Sequence, residues 1–264
     1  MNIKPRATHY IICPLILIIL AAGCSRYFGQ PPDTADPAAQ AELKTLLSTL
    51  KNKNRHLKNF KGIGHIKARQ EGQIKLDERI AWIGSETAKL NIAILVSGHP
   101  AVKLASDGKW FYYYEAREGN PLFKKIPATD ANLKRIISMP INTSDVIHLL
   151  AGRIPLREHH AASLEPQDSG DGYVLVLKQR WWGVIEKVYF DETKDRVLKA
   201  EFYDRAGSLI YRASFDETQT IKGYQVPARL RLANNEGVDI DLVVNKYWAD
   251  VTVSPSMFVL NPPP

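Results

Sequence analysis

Short apolar runs of period two, separated by turn signals, occupy most of the chain after Gly62. Between residues 238 and 244 every second side chain is aliphatic, and between residues 228 and 232 two arginines alternate with apolar side chains. Such alternation is typical of strands that bury one face, and Gly- or Asp-containing turns between them indicate hairpins. About five strands are predicted before residue 130 and about six after residue 172. The chain is therefore predicted to be mainly β, with a single antiparallel sheet of about 11 strands.

An open sheet of that size must curl, because the twist of its strands accumulates. A curled sheet encloses more volume than its own side chains readily fill, so an apolar ligand cavity is expected inside it. Helical periodicity at residues 38–60, 130–139 and 144–152 supplies the cover for its open side. The predicted fold class is an unclosed half-barrel with an α lid, which forms one domain over residues 38–261.

The cavity-lining candidates are apolar residues that alternation places on one face of the strands, together with apolar residues of the two later helices. They are Ile80, Trp82, Ile92, Ile94, Phe111, Tyr113, Ile136, Leu149, Leu150, Leu230, Ile240 and Leu242. For Phe111 and Tyr113, a strand that is partly buried on both faces is an equally good interpretation.

The N-terminal segment has a second, independent pattern. Lys4 and Arg6 precede an uncharged apolar run at residues 10–22, and small residues stand directly before Cys24. This order is typical of a secretory signal, and the run is shorter than the roughly 20 residues that span a bilayer. Residues 20–24 (LAAGC) resemble the lipobox of bacterial lipoproteins. The resemblance implies a signal peptide over residues 1–23 and acylation of Cys24, with palmitate among the expected groups. The alternative is an ordinary secretory signal with a chance cysteine.

Residues 24–37 are rich in proline, alanine and small polar residues, which predicts a flexible tether between the lipidated Cys24 and the domain. The residue after the cysteine is Ser25, whereas many inner-membrane lipoproteins carry a retention Asp there. The lipoprotein resemblance therefore implies an anchor on the periplasmic face of the outer membrane of a Gram-negative bacterium.

Several function classes find no support in the sequence. Cys13 and Cys24 are the only cysteines, so the processed domain has no disulfide or catalytic thiol. The pair His159 and His160 lacks neighbouring ligands at metal-binding spacing, and no hydrolase or nucleotide-binding motif is present. The net charge of +7 comes from basic residues interspersed with acidic ones, which is not the pattern of a nucleic-acid interface. We expect no enzyme, no cofactor, no metal and no nucleic-acid partner.

Six short segments, in order, resemble the LolA/LolB superfamily of lipoprotein carriers and receptors. They are residues 60–64 (FKGIG), 79–82 (RIAW), 104–108 (LASDG), 149–155 (LLAGRIP), 202–207 (FYDRAG) and 226–230 (VPARL). The resemblance implies an open barrel of about eleven strands whose cavity shelters acyl chains of lipoproteins or other lipids. An N-terminal lipid anchor is closer to the LolB side, the outer-membrane receptors.

The resemblance also implies a membrane-perturbing loop with an exposed leucine, but the corresponding loop at residues 97–100 (SGHP) has none. Trp181 and Trp182, at a predicted hairpin tip, are the membrane-facing candidates instead, because Trp favours the membrane interface. The alternative is that at least one of them packs on the sheet. A non-catalytic scaffolding lipoprotein with an envelope protein partner is the alternative function.

Overall fold

The computed structural model describes residues 37–86, 88–168 and 170–262, and all of the sheet lies in the compact unit Leu43–Pro264. The predicted signal peptide, Cys24 and the predicted tether up to residue 36 lie outside the described residues. Within those ranges, no helix has the length and apolar character needed to cross a membrane.

Thirteen strands, three α-helices and one 3₁₀ turn make up the described residues. In chain order they are α1 Pro37–Asn52, β1 Asn59–Gln70, β2 Gln73–Ser85, β3 Lys89–Val96, β4 His99–Ser106, β5 Trp110–Glu115, β6 Leu122–Pro127, α2 Asp130–Ile137, α3 Thr143–Leu150, β7 Ala161–Pro166, β8 Tyr173–Gln179, β9 Gly183–Phe190, β10 Val197–Tyr203, β11 Leu209–Ile221, β12 Tyr224–Ala233, β13 Val238–Ala249 and the 3₁₀ turn Pro255–Phe258.

All thirteen strands form one antiparallel sheet in the order β6-β5-β4-β3-β2-β1-β13-β12-β11-β10-β9-β8-β7. The sheet is unclosed, because β6 and β7 each have a single neighbour. The predicted single antiparallel sheet is confirmed, but the predicted count of about 11 is wrong. The two strands that the prediction missed are the edge strands β6 and β7, each six residues long. Strand β6 contains two lysines, and β7 contains a single large aliphatic residue.

This strand order obliges the lid to cross the sheet. The connection from β6 to β7 starts at one edge and ends at the other, and it contains α2 and α3. Helix α3 contacts β2 and β3 on one side and β12 on the other. Four strand spacings separate β3 from β12, about 19 Å in a flat sheet, whereas a helix is about 10 Å wide. The sheet therefore curls around α3.

Helix α1 is shorter than predicted, since it ends at Asn52 and not at Phe60. Asn54 adopts a left-handed backbone (φ 51°), which few residues tolerate and which turns the chain away from the helix axis. Its side-chain Nδ2 donates to the backbone oxygens of Ala151 (2.8 Å) and Gln225 (2.7 Å). The next residues then lead directly into β1. Helices α2 and α3 are confirmed, each slightly shorter than predicted.

A tight contact in the middle of the sheet fixes the position of Trp82. Gly62 lies opposite Trp82 in the β1–β2 pair, and a Cβ on Gly62 would stand 2.2 Å from the indole ring. The indole is 2% exposed, so the ring has no free space to move into. Only glycine at position 62 lets the ring lie flat on the neighbouring strand.

We expect Gly62→Ala to destabilise the fold by about 2 kcal/mol or more, because overpacking forces the buried indole or the strand to shift. Urea unfolding followed by circular dichroism measures this loss. The double-mutant cycle with Trp82→Leu is the control, since leucine lacks the clashing ring atoms. An equal cost of Gly62→Ala with and without the indole would contradict this explanation.

Candidate functional site

The inner face is the side of the sheet that curls around α3, and it carries Phe60, Trp82, Phe202 and Leu230. Cross-strand register extends this face without interruption through both halves of the sheet. One row, for example, runs through Tyr113, Leu104, Ile92, Trp82, Gly62 and Tyr247. Large apolar side chains dominate the face, which is the condition for burying hydrocarbon.

Every predicted cavity-lining residue lies on this face or on the helices that cover it. The main core cluster brings together Ile80, Trp82, Leu149, Leu150, Leu230 and Leu242, with Ile92 and Ile240 packed against it. A smaller cluster joins Phe111 to Ile136 of α2, and Ile94 and Tyr113 are half-buried on the same face. In β5, Phe111 and the oppositely directed Tyr112 are both buried, as the alternative interpretation expected. A role in lining ligand space stays a prediction.

The protein's own helices fill much of the space over the inner face. Leu50 of α1, Leu57, and Ile147 and Leu149 of α3 are buried in the main core cluster. A slot of about 20 Å³ remains beside Ile154, bordered by Lys53, Gly152, Arg196, Val197, Phe215, Thr218, Gln225 and Pro227. A slot of this volume holds about one water molecule. This slot is too small for an acyl chain, which would enter it only if α3 or its neighbours moved.

A polar cluster holds α3 against the inner face, and we call it the α3 anchor: Asp145, Arg157, Tyr211 and Glu186. The buried carboxylate of Asp145 accepts hydrogen bonds from the Tyr211 hydroxyl (2.7 Å) and from both terminal nitrogens of Arg157. The backbone N–H of Arg157 donates to Glu186 Oε2 (2.8 Å). The bonds to the Asp145 carboxylate are charge-assisted, and such bonds are roughly twice as strong as neutral ones. Through Tyr211 and Arg157 the cluster ties a lid helix to β11 and β9.

Glu186 is a carboxyl group on an otherwise apolar wall. It is fully buried beside Leu177 and Phe202, and its Oε1 has no hydrogen-bond partner in the described structure. Burial raises the pKa of Glu186 to about 8, and the Arg157 N–H and guanidinium offset only part of that effect. At neutral pH this side chain is therefore mostly the uncharged acid.

The sequence contained a signal for this site that the prediction did not use. Glu186, Val188 and Phe190 are alternate residues of β9, so they lie on the same face of the strand. Alternation therefore places a carboxyl group on its buried face. Asp145 likewise lies on an apolar helix whose other inward residues are aliphatic. The residues that complete the anchor, Arg157 and Tyr211, come from a loop and a distant strand, and no local pattern connects them.

The opposite face of the sheet carries an apolar groove of about 310 Å³, which we call the outer-face groove. Side chains of the outer face line it: Lys61, Ile63, Ala81, Ile83, Asn91, Ala93 and Trp248. Gly62 and Trp82, which stand between them in β1 and β2 and face the inner side, also border it. Trp248 is partly exposed there, and the ammonium of Lys61 lies 5.2 Å from the centre of its ring. Asn91 Nδ2 donates to the backbone oxygen of Met257 (2.6 Å), so the 3₁₀ turn lies beside the groove.

The β8–β9 hairpin tip presents both membrane-facing candidates to solvent. Trp181 is 84% exposed and Trp182 is 43% exposed. The guanidinium of Arg205, from the next hairpin tip at this end of the sheet, lies 4.1 Å from the ring centre of Trp182, and that of Arg180 lies 5.9 Å from Trp181. The tip therefore combines exposed indoles with two cations.

The two adjacent histidines make separate contacts. His159 Nδ1 lies 2.9 Å from the backbone oxygen of Arg157, and His160 Nδ1 lies 2.6 Å from Gln179 Oε1. Across residues 37–86, 88–168 and 170–262, no group of three or more His, Cys, Asp or Glu side chains is arranged to hold a metal ion.

Solved structures identify the fold. The chain is similar to a DUF1329-family protein from Desulfovibrio piger (TM-score 0.56, 13% identity, covering 84% of this chain and 97% of that one). It is also similar to a LolA-superfamily protein from Nitrosomonas europaea (TM-score 0.54, 14% identity, 83% and 97% covered). A domain described as outer-membrane lipoprotein-sorting, from Vibrio parahaemolyticus, has a TM-score of 0.52 at 13% identity, with 83% and 97% covered.

No protein-family model and no curated protein sequence matches the chain. At these identities the structural likenesses show the fold alone, and that fold is LolA/LolB-like, as the sequence resemblance implied.

We expect Glu186→Gln to change how stability depends on pH. The folded state keeps the Glu186 proton up to a pH of about 8, whereas the unfolded chain loses it near 4.5. The wild type therefore loses stability as pH rises through this window, and it does not recover above it. Relative to Glu186→Gln, its Tm should fall by something on the order of 3 °C per pH unit between pH 5 and pH 8.

Differential scanning fluorimetry at several pH values measures this gap. Glu118→Gln, at an exposed turn, controls for the loss of a carboxylate as such. Parallel Tm curves for the wild type and Glu186→Gln would show that Glu186 is charged in the folded protein.

Proposed function

We propose that this protein binds acyl chains of lipoproteins or lipids on the inner face of its sheet, in transport to the outer membrane or in its assembly. The proposal rests on the observation that helices, and not a second sheet, cover the inner face. No second sheet packs on it among the described residues, and short helices bury its aromatic and aliphatic side chains instead. Helices α2 and α3 are eight residues each, so they can move as small units while the sheet keeps its hydrogen bonds.

The energetics of exchange between helix and lipid favour such a mechanism. Each methylene that leaves water gains about 0.8 kcal/mol, so about a dozen buried methylenes gain roughly 10 kcal/mol. An acyl chain that replaces the apolar side of α3 keeps the inner face dry. Two costs remain. The apolar side of α3 needs other cover, and the α3 anchor is lost, whose hydrogen bonds to Asp145 are each worth about 1.5–3 kcal/mol because they involve charge.

The names of the structural neighbours agree with this proposal. One of them is described as a lipoprotein-sorting domain of the outer membrane, and another belongs to the LolA superfamily. The lipobox-like residues 20–24 supply the proposed anchor, with Cys24 acylated at the periplasmic face of the outer membrane. A tether of about a dozen residues reaches roughly 20 Å, which keeps the domain close to the bilayer that supplies or receives the acyl chains.

A second candidate function rests on the outer-face groove. The groove is far larger than the slot on the inner face, and it exposes Trp248 beside aliphatic side chains. Partly exposed indoles in apolar hollows are typical of protein–protein contacts. A scaffolding lipoprotein would use this groove to bind an envelope protein and would leave the inner face closed.

The central prediction concerns lipid capture. Residues 25–264, purified without added lipid, should retain acyl lipids that native mass spectrometry detects, and should bind a fluorescent fatty acid. Tyr211→Phe removes one hydrogen bond from the α3 anchor and should accelerate uptake several-fold, at a cost of about 1–2 kcal/mol in stability. Its matched control is Tyr189→Phe, which removes a comparable bond to Glu201 between strands. Absence of retained lipid, with no measurable uptake by the wild type or either variant, would favour scaffolding. Equal measurable uptake by both variants would contradict the role of the α3 anchor.

A second prediction concerns the hairpin tip. Binding to vesicles of phosphatidylethanolamine and phosphatidylglycerol should fall several-fold in the double variant Trp181→Ser and Trp182→Ser. Indoles insert at the interface, and Arg180 and Arg205 each add about 1 kcal/mol of attraction to anionic headgroups. Trp248→Ser is the matched control, because it removes a partly exposed indole from the outer-face groove. A larger loss with Trp248→Ser than with the double variant would contradict the assignment. Flotation assays measure vesicle binding by the double variant and by Trp248→Ser.

A further inference from the structure

The turn after α3 holds an arginine in a fixed and buried position. Arg153 is 8% exposed, and its backbone N–H donates to the oxygen of His148 (2.9 Å). The preceding Gly152 has a left-handed φ of 72°, and a Cβ there would stand 2.2 Å from the backbone oxygen of Gln225. Asn54 Nδ2 donates to the oxygen of Ala151, so this turn is tied to the end of α1 and to β12. The place of Arg153 is thus set by its surroundings.

Two nitrogens of this arginine, Nε and Nη2, are buried and have no hydrogen-bond partner in the described structure. The charge of Glu86 acts on the guanidinium, but the Glu86 carboxylate pairs with Lys58 at the surface. Burial lowers the pKa of Arg153, yet arginine stays charged in proteins. A buried cation with unsatisfied donors is costly, so a structure keeps one only where an acceptor occupies the place.

The neighbouring side chains lack acceptors in the same way. His148 Nδ1 is buried without a partner, and burial together with the charge of Arg153 lowers the pKa of His148, so its ring is mostly neutral at pH 7. On the inner face, the Nε1 of Trp82 is also a buried donor without an acceptor. Nearby, the hydroxyl of Tyr247 donates to the oxygen of Leu150 (3.2 Å). Arg153 and His148 therefore both leave buried nitrogens without partners at this end of α3, and the neutral ring can carry its proton on Nδ1 and donate it.

We propose that Arg153, with His148, binds the anionic head group of the acyl ligand, a carboxylate or a phosphate. The guanidinium fork matches the two oxygens of either group, and Arg153 stands between Leu150 and Ile154, both part of the main apolar cluster. A head group held here places its acyl chain directly against the inner face when α3 moves. The ligand class is thus an anionic amphiphile, and this assignment rests on the proposed acyl binding.

Photo-crosslinking tests the head-group site separately from the proposed acyl binding. The full-length protein in phosphatidylcholine vesicles is labelled with a diazirine fatty acid, or with the fatty alcohol of the same chain length. We expect the wild type to prefer the acid by roughly tenfold or more, since a hydrogen bond to a charged group is stronger than one to a neutral hydroxyl. Arg153→Gln should lower acid labelling to the level of the alcohol, and Arg153→Lys should keep part of the preference for the acid.

The other possible results separate the head-group site from acyl binding. Equal labelling of the wild type by acid and alcohol would overturn the head-group site and leave acyl binding intact. Water would then be the acceptor for the Arg153 guanidinium. Labelling by neither probe would overturn the proposed function and this inference with it. Competition by inorganic phosphate against the acid alone would support the anion site and show that a free anion also fits it. If Arg153→Gln does not fold, the acid-to-alcohol ratio of the wild type decides.

Discussion

The structure depends on covering one large apolar face without a second sheet. Thirteen strands in a single layer expose the inner face along its whole width, and twist curls that layer around whatever covers it. The cover comes from α1, α3 and the loop that carries Leu57. Helix α3 crosses the sheet because β6 and β7 stand at opposite edges, whereas α1 and the Leu57 loop lead directly into β1 in its middle. The helices are therefore the other half of the core, and they also block access to the inner face.

A lid of this kind needs attachments that are specific and yet can be broken. Apolar packing alone would let α3 slide, since hydrocarbon contacts have little directional preference. The hydrogen bonds from Arg157 and Tyr211 to Asp145 define one position of α3. The buried side chain of Glu186 also accepts a hydrogen bond from the backbone N–H of Arg157. Closure thus rests on a few polar contacts, whereas the sheet rests on long ladders of backbone hydrogen bonds. The two parts of the molecule differ in how readily they open.

Much of the sheet was predictable because alternation is a local signal. The runs that became β12 and β13 show it clearly, whereas the edge strands β6 and β7 are short and pair on one side only. The end of α1 was not predictable, since Asn54 adopts its left-handed turn through bonds to Ala151 and Gln225, far away in the chain. The filled inner face escaped prediction for a related reason. Whether a helix stripe occupies a cavity or borders it depends on volumes, and periodicity does not report volumes.

The strand order also bears on how the chain folds. Strands β1 to β6 pair only as consecutive hairpins, and so do β7 to β13, so each half forms from contacts between near neighbours in sequence. Among the described strands, β1–β13 is the one pair that joins the two halves, and it brings Phe60 opposite Ala249 across most of the chain. Local hairpins form quickly, whereas closing so long a loop is slow and costs entropy. The two meanders are thus natural folding units, and we expect their pairing along β1 and β13 to be the slow step that completes the inner face.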